Sequence, residues 1–389
     1  MRTARPNCAL RAAAPRLVLA AAAAALAAPA HAGGLGLEDP DRFALLHDDR
    51  AAVLRADLLH DIPAQTRAEA ANGYGWSGAS TSGPNPSRTT GRASGKIGLG
   101  AHVDCMIGGG QPWGRWETRD ARWSAANEFA ESRLETWGLE AACAVAVPLP
   151  GGDRLRVIGG ARAAEAELFH MISLPANLAF HLDSADAALG WTAGLSWERP
   201  QDGLRATLAW TSPMEFELAG RHWINGAAAG PVTATATMPA SVALHLEGRP
   251  APLWTASADL DWTWWSDHEV TIDGVASPLA PGGRVSPPTG YDDALGVELG
   301  LKRRFGAWEA GGRLRWDQGV NGAITDAWTA GASLARDIGE HVTLEARASA
   351  TWHQEGLSEG ADAVTGRSWR YVSETAVSYA GRLSVTLGF

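Results

Sequence analysis

Apolar and polar side chains alternate along most of the chain, from about Leu54 to the last residue. The segment 254–265 is the clearest example, because every second position from Trp254 to Trp264 is apolar and the positions between them are polar. A β-strand sends successive side chains to opposite faces, so this segment has one apolar and one polar face. The same alternation recurs in the segments 189–197, 204–210, 295–302, 308–316 and 342–352. The pattern predicts a chain made of β-strands.

The length and composition of these strands distinguish a membrane barrel from a soluble sheet protein. Alternating strands of about nine to eleven residues are typical of transmembrane barrels, whereas strands of soluble sandwiches average about five or six residues. The apolar face is rich in Ala and Gly and is flanked by Trp, which favours contact with lipid. About thirteen strands can be counted, and such barrels usually close with an even number. We therefore predict an all-β fold, a transmembrane antiparallel β-barrel of 14 strands, with the uncounted strand within Thr66–Trp76 or Phe216–Trp223.

The N-terminus has the three parts of a secretory signal peptide. Four arginines precede an apolar run at positions 17–28, and small residues follow at Ala30 and Ala32. The run is too short to span a bilayer. We predict a signal peptide at 1–32, cleaved between Ala32 and Gly33, and hence export. Cys8 lies far from this site, which disfavours the alternative of a lipoprotein.

Charge and aromatic content narrow the possible partners. The formal net charge is −10, and removal of the signal takes four arginines and no acid with it, which lowers the charge to −14. Nucleic acid is therefore not expected as a partner, because a phosphate-binding surface needs a basic patch. The chain contains 18 Trp against 7 Phe and 4 Tyr, and this excess of Trp is typical of membrane interfaces. We expect outer-membrane lipid as a partner. The last strand ends in Phe389, which resembles the signal read by the barrel assembly machinery.

Several segments, in their order along the chain, resemble the FadL family of long-chain fatty-acid and aromatic-hydrocarbon transporters. In 238–250, Pro-Ala-Ser resembles the family's Pro-x-Ser at the start of a strand, and 253–266 ends in a motif of the Trp-x-x-Trp-Ser type. The segments 211–220 and 294–305 resemble neighbouring strands of the family, and Gln-Pro-Trp-Gly at 111–114 resembles its Gln-Pro-Phe-Gly element. The resemblance covers most of the chain after the signal peptide.

The resemblance implies a 14-stranded barrel whose lumen is blocked by an N-terminal hatch. It also implies that substrates bind in an outer groove, pass to an internal pocket, and leave through a kinked strand in the wall. The hatch candidate is 33–50, with Phe43, Leu45 and Leu46 as its main apolar residues, and 51–389 forms the barrel. The sequence departs from the family's pattern because no Asn-Pro-Ala element occurs between Gly33 and Gly95.

Charged residues of both signs fall on the polar face of the predicted strands, which faces the lumen. One interpretation is a mixed network that fills the lumen, and the other is that a cation such as Arg205 or Lys302 receives a substrate carboxylate. Trp113 and Trp116 are predicted in one outer loop, with Trp123 and Phe129, and Trp223 in another, with Ile224. Exposed aromatic residues there suit the capture of apolar ligands, although loop packing explains them equally well.

Cys105 and Cys143 are the two cysteines that remain after export. Both fall on the apolar face of strands that are candidates for hairpin neighbours. A directly opposed pair would lie close enough for a disulfide. The sequence leaves both states open, a structural disulfide or two free thiols.

The sequence contains no motif for an enzyme, a metal site or a cofactor site: it lacks His-Glu-x-x-His, Gly-x-Ser-x-Gly and a phosphate loop. We therefore expect no enzyme, but passive transport of a hydrophobic or amphipathic small molecule, a long-chain fatty acid or an aromatic hydrocarbon. Two alternatives remain: a general or structural porin, and a lipid hydrolase with a serine–histidine site on the barrel wall.

Overall fold

The computed structural model describes residues 41–64, 67–72, 77–81, 86–118, 129–172, 178–276, 282–286, 291–321, 325–361 and 368–389. The predicted signal peptide, its cleavage between Ala32 and Gly33, and the first part of the hatch segment lie outside the described residues, as does Trp123. In the part of the chain that is described, no helix is both long and apolar enough to cross a membrane.

The described residues form fourteen barrel strands. The first seven are β1 (Ala52–Ile62), β2 (Arg88–Gly98), β3 (Val103–Gly110 and Gly114–Thr118), β4 (Phe129–Pro148), β5 (Arg154–Ile172), β6 (Leu178–Ser184 and Ala188–Arg199) and β7 (Leu204–Thr211 and Met214–Ile224). The others are β8 (Ala227–Met238 and Ser241–Ala251), β9 (Trp254–Thr263 and Val270–Asp273), β10 (Ala294–Phe305), β11 (Trp308–Asp317), β12 (Ala327–Ile338), β13 (Val342–His353) and β14 (Ala376–Gly388).

The strands pair antiparallel around a closed ring. Consecutive strands pair with each other, and β1 pairs with β14 from Val53 opposite Gly388 to Ile62 opposite Tyr379. Closure joins the first strand to the last, so neither is left as a free sheet edge in lipid, where its backbone groups would have no water to bond. The predicted fold class, a 14-stranded antiparallel barrel, is confirmed.

The two ends of the barrel differ. At one end the strands are joined by short turns, such as Gly306–Ala307 between β10 and β11, and Ala52 and Phe389 exchange backbone hydrogen bonds there. Short turns lie on the periplasmic side of such barrels. At the opposite end, four short strands form a separate sheet, Arg67–Asn72, Ser77–Thr81, Gly356–Ala361 and Ser368–Ser373. This sheet lies on the extracellular side.

Along β7 and β8, the apolar residues change from the outer face of the barrel to its inner face. In the lower half of β7, Leu204 and Leu208 face outward and Thr207 faces the lumen, as lipid outside requires. Beyond the bend at 212–213 the apolar residues turn inward, so that Met214 and Phe216 are buried and the residues between them are exposed. They join an inner apolar cluster with Trp113, Phe180, Val232 and Trp265. The exchange indicates that these upper halves project above the membrane into water.

Both regions in which a strand remained uncounted contain strands. The segment Thr66–Trp76 includes the short strand Arg67–Asn72, and Phe216–Trp223 lies in the upper half of β7.

Candidate functional site

The end of the N-terminal segment lies inside the lumen as a short 3-10 helix, Ala44–His47. Phe43 precedes this helix and Leu46 lies within it. Both side chains are buried, with 1% and 0% of their surface exposed. They pack against inward-facing wall residues of β4, β5 and β7: Ala142, Ala144, Ile158 and Ala209. A Cβ at Gly194 would lie 3.0 Å from the Phe43 ring, so glycine at this position of β6 leaves room for the ring. The two apolar residues therefore anchor the segment to the wall.

Ion pairs attach the same segment to the wall at several points. Arg205 on β7 donates two hydrogen bonds to the Asp41 carboxylate, at 3.1 and 2.6 Å. Arg42 pairs with Glu140 on β4 at 3.0 Å, and it also donates to Thr211 on β7. Partly buried pairs of this kind are strong because little water competes for them. We call residues 41–50, the described end of the hatch segment, the plug. The Arg205 guanidinium holds the plug through Asp41, as expected from the interpretation of a mixed charge network.

The lower end of the segment is fixed by His47 and Asp48. The His47 imidazole contacts the Glu198 carboxylate at 2.5 Å, and Lys96 donates to the carbonyl oxygen of Asp48 at 2.6 Å. Burial lowers the pKa of His47, although its hydrogen bond with Glu198 acts in the opposite direction. Burial raises the pKa of Asp48, but hydrogen bonds from Arg50 outweigh it and leave that pKa below its usual value. Asp48 therefore remains a carboxylate that Arg50 can hold.

Strand β3 is interrupted where the Gln-Pro-Trp-Gly element lies. Its pairing with β2 ends with Ala93 opposite Gly109, although β2 continues to Arg88. Its pairing with β4 ends at Gly110 and resumes at Gly114, across a bulge. Pro112 has no N–H to donate to a neighbouring strand. The barrel wall therefore lacks its regular hydrogen bonds between β2 and the upper part of β3.

A cavity of about 360 Å³ connects the plug with this interruption. Its wall includes Leu45 of the plug, glycines 108–110 and 138, and Pro112. It also includes Leu139, which faces outward with 52% of its surface exposed, and Ala163 beside it in register. The cavity therefore reaches the inner side of the wall at the interruption, where the Leu139 side chain covers Gly109 on the outer side.

Trp113 lies in the interruption, not in an exposed outer loop, so the prediction of its placement is wrong. Only 7% of its surface is exposed, and its ring meets Phe216 edge-on at 6.0 Å. The buried Arg162 guanidinium lies 5.3 Å from the Trp113 ring centroid and lines the cavity. Sequence reasoning missed Arg162, although it stands between Ala161 and Ala163 at an inward position of β5.

The other predicted aromatic residues also belong to strands. Trp223 and Ile224 end β7, so their placement in a loop is wrong as well, because the upper half of this strand continues above the membrane. Trp116 belongs to β3 and Phe129 begins β4; their side chains lie outside the described residues. Lys302 lines the cavity and lies 3.6 Å from Glu309. Of the predicted site residues, Leu45, Arg205 and Lys302 line this cavity. Phe43, Leu46 and Trp113 do not line it and are buried in the packing around it.

Cys105 and Cys143 face each other in register on β3 and β4 and are joined by a disulfide. They lie below the interruption on the lipid-facing side, and three residue pairs separate them from the pair Gly109–Leu139. The bond ties the lower part of β3 to its neighbour, so that the interruption lies above a fixed base.

We expect both cysteines to be unreactive toward a thiol-directed mass tag in denaturant, and both to be tagged after reduction. Replacing both cysteines with alanine is expected to lower the free energy of unfolding by roughly 2–4 kcal/mol, because the cross-link restricts the unfolded chain. Urea titration of the barrel in lipid vesicles measures this change. Two free thiols in the unreduced protein would contradict the assignment.

Two polar clusters bear on the hydrolase alternative and on the expectation of no metal site. The His353 imidazole contacts the Ser378 hydroxyl at 3.0 Å, but only 1% of Ser378 is exposed, which disfavours attack by it on a lipid. Glu167, His181 and Asp183 lie close enough together to hold a cation on the extracellular side. Arg133 already pairs with Glu167 at 2.7 Å, so an ion pair accounts for part of this cluster.

The fold is similar to that of several solved structures. A Pseudomonas aeruginosa FadL homologue matches 94% of this chain and 98% of its own, at a TM-score of 0.74 and 15% identity. The CymD monoaromatic hydrocarbon channel (TM-score 0.56, 14% identity, 90% and 91% covered) and the P. putida toluene transporter TodX (0.57, 13%, 90% and 93%) also match. Neither models of protein families nor curated protein sequences match this chain. The structural matches confirm the FadL-type fold that the sequence predicted.

Proposed function

We propose that this chain carries hydrophobic or amphipathic small molecules passively through the outer membrane and releases them sideways through the interruption of β3. The observation that carries the proposal is the cavity that runs from the plug to the interruption of β3. A solute that leaves through the wall never has to pass the plug. The solute's own gradient and burial of its apolar surface along the route provide the driving force.

The cavity wall combines apolar and charged groups, which suits a molecule with an apolar body and a polar head. Met106, Pro112 and Met214 offer apolar contact, whereas Arg162 and Lys302 offer positive charge. A carboxylate head would be held by charge-assisted hydrogen bonds from these groups. Long-chain fatty acids fit this description best, and aromatic hydrocarbons would use the apolar part alone.

The export signal at 1–32 and the C-terminal strand complete the proposal. We expect delivery to the outer membrane after cleavage between Ala32 and Gly33, and insertion by the barrel assembly machinery. Phe389 is exposed at the periplasmic end and stacks on His341, with ring centroids 5.8 Å apart. Its exposure leaves the ring accessible to a partner during assembly.

A general porin is the alternative with a distinct physical signature. An open porin conducts ions, whereas a plug held by Phe43, Leu46 and the Asp41–Arg205 pair restricts the flow of ions. The plug therefore favours the hydrophobic conduit over the porin.

The test is uptake of labelled oleate, toluene and arabinose by cells that lack the gene and by complemented cells. We expect faster entry of oleate, or of oleate and toluene, with unchanged entry of arabinose. Faster arabinose entry would support the porin. Unchanged entry of all three solutes would support a structural barrel that transports none of them. Cell-surface levels of the barrel, measured by heat-modifiable migration, control for expression.

A further inference from the structure

The outward face of β9, β10 and β11 carries a groove near the periplasmic end. Ala310 and Gly312 on β11 form a low floor, because they place almost no side chain on the lipid-facing surface. Leu299 and Leu301 form one ridge, and Leu314 closes the groove toward the middle of the membrane. Its volume is about 600 Å³. The apolar floor and ridges of the groove suit an acyl chain.

Arg303 lies at the periplasmic end of this groove. Its guanidinium carbon is 5.2 Å from the ring centroid of Trp254 and 5.0 Å from that of Phe305. Arg336 on β12 lies in the same way 4.9 Å from the ring of Trp308. Aromatic faces attract a cation and also hold its orientation. Two fixed, exposed guanidinium groups therefore point toward the lipid boundary.

No acidic residue among those that the structure describes forms a salt bridge with Arg303 or Arg336. The nearby carboxylate of Asp337 pairs with Arg304 instead, at 3.3 Å. Most other arginines at or inside the barrel are held by carboxylates, as Arg205 is by Asp41. The two outward guanidinium groups therefore keep their full charge for an anion that comes from outside the chain.

The position of these arginines identifies the leaflet. Trp262 is the eighth residue after Trp254 on the outward face of β9, ~27 Å along the strand and roughly 20 Å along the membrane normal at a tilt of about 40°, which is close to the ~25 Å apolar band of such barrels. Arg303 is paired with Trp254 and Leu295 with Trp262, so Arg303 lies at the periplasmic boundary of the band. The leaflet there consists of phospholipids, whose phosphates lie at this depth.

We propose that this groove binds one anionic phospholipid of the periplasmic leaflet. The phosphate accepts hydrogen bonds from Arg303, with Arg336 adding long-range attraction, and one acyl chain lies over Gly312 between the leucine ridges. A guanidinium donates two parallel hydrogen bonds to a phosphate and is weakly hydrated, so it is well suited to this contact. A zwitterionic lipid brings its own ammonium group and therefore gains less from two uncompensated cations.

The proposal is tested by native mass spectrometry of the purified, full-length mature barrel, titrated with phosphatidylglycerol or phosphatidylethanolamine of identical acyl chains. We expect selective retention of phosphatidylglycerol. The variant Arg303→Gln/Arg336→Gln should lose about fivefold in affinity for each arginine removed. Arg304→Gln, next to Arg303 in β10 but paired with Asp337, is the matched control and should keep the preference.

A second variant tests the groove separately from the charge. A Cβ at Gly312 would meet only the Gly331 carbonyl oxygen, at 3.8 Å, so Gly312→Leu is compatible with the fold and fills the floor. It should weaken retention of phosphatidylglycerol although both arginines remain. Equal retention of the two lipids by the wild type, an unchanged preference in the double arginine variant, or equally tight binding of inorganic phosphate would each overturn the proposal.

Discussion

Replacing Phe43 and Leu46 together with alanine is expected to open the barrel to ions. Each side chain is buried against the wall, and removal of a large buried apolar group typically costs roughly 2–5 kcal/mol. The remaining ion pairs of Asp41 and Arg42 are partly exposed to the water of the lumen, and we expect them to hold the segment less well without its apolar seat. Single-channel recordings in planar bilayers should change from a nearly silent barrel to one with frequent open events.

The matched control truncates two large apolar side chains on the lipid-facing side of the barrel. Leu54→Ala/Leu58→Ala shortens two leucines of β1 that face outward and touch no part of the plug. This control should fold, as judged by heat-modifiable migration, and should remain as silent as the wild type. A folded Phe43→Ala/Leu46→Ala barrel with unchanged conductance would mean that these residues do not hold the plug.

The alternation of apolar and polar residues predicts the fold correctly wherever lipid surrounds the strand. In β9 the outward positions Trp254 to Trp262 and the inward Asp259 follow the pattern through the whole membrane. The pattern fails in the upper half of β7, where Phe216 is buried and Glu217 is exposed, because water replaces lipid on the outside. The alternation continues there, but the apolar residues face inward and the polar residues face outward. A search for outward-facing apolar residues alone therefore overlooks this part of the strand.

The site was harder to predict because it departs from regular strand structure and depends on distant contacts. Pro112 and the preceding glycines have the composition of a loop, and therefore Trp113 was expected outside the barrel. They instead form the interruption of a strand. Asp41 and Arg205 are separated by 164 residues, and nothing local in the sequence indicates that they meet. Phe43 and Leu46 could be named from the family resemblance, but their buried role depends on wall residues such as Gly194.

The lateral route predicts that a single side chain at position 138 blocks transport. Gly138 faces the lumen beside the interruption, and a Cβ there would lie 3.1 Å from Pro112. A leucine at this position therefore crowds Pro112 at the point where the cavity meets the interruption. If the barrier to crossing rises by the ~1–3 kcal/mol that overpacking typically costs, uptake falls by roughly 5- to 160-fold. Initial rates of labelled oleate uptake by complemented cells measure this change.

Gly159→Leu is the control for this substitution, because Gly159 faces the lipid on β5 and a Cβ there meets nothing within 4 Å. It should transport as the wild type does. Ion conductance separates the lateral route from the plug, since Gly138→Leu leaves Phe43, Leu46 and their wall contacts intact and should remain silent. Blocked uptake in a silent, folded Gly138→Leu barrel, together with wild-type uptake in Gly159→Leu, is the result that a lateral exit predicts. Wild-type uptake in that variant would instead mean that the solute leaves through the lumen, past a plug that moves.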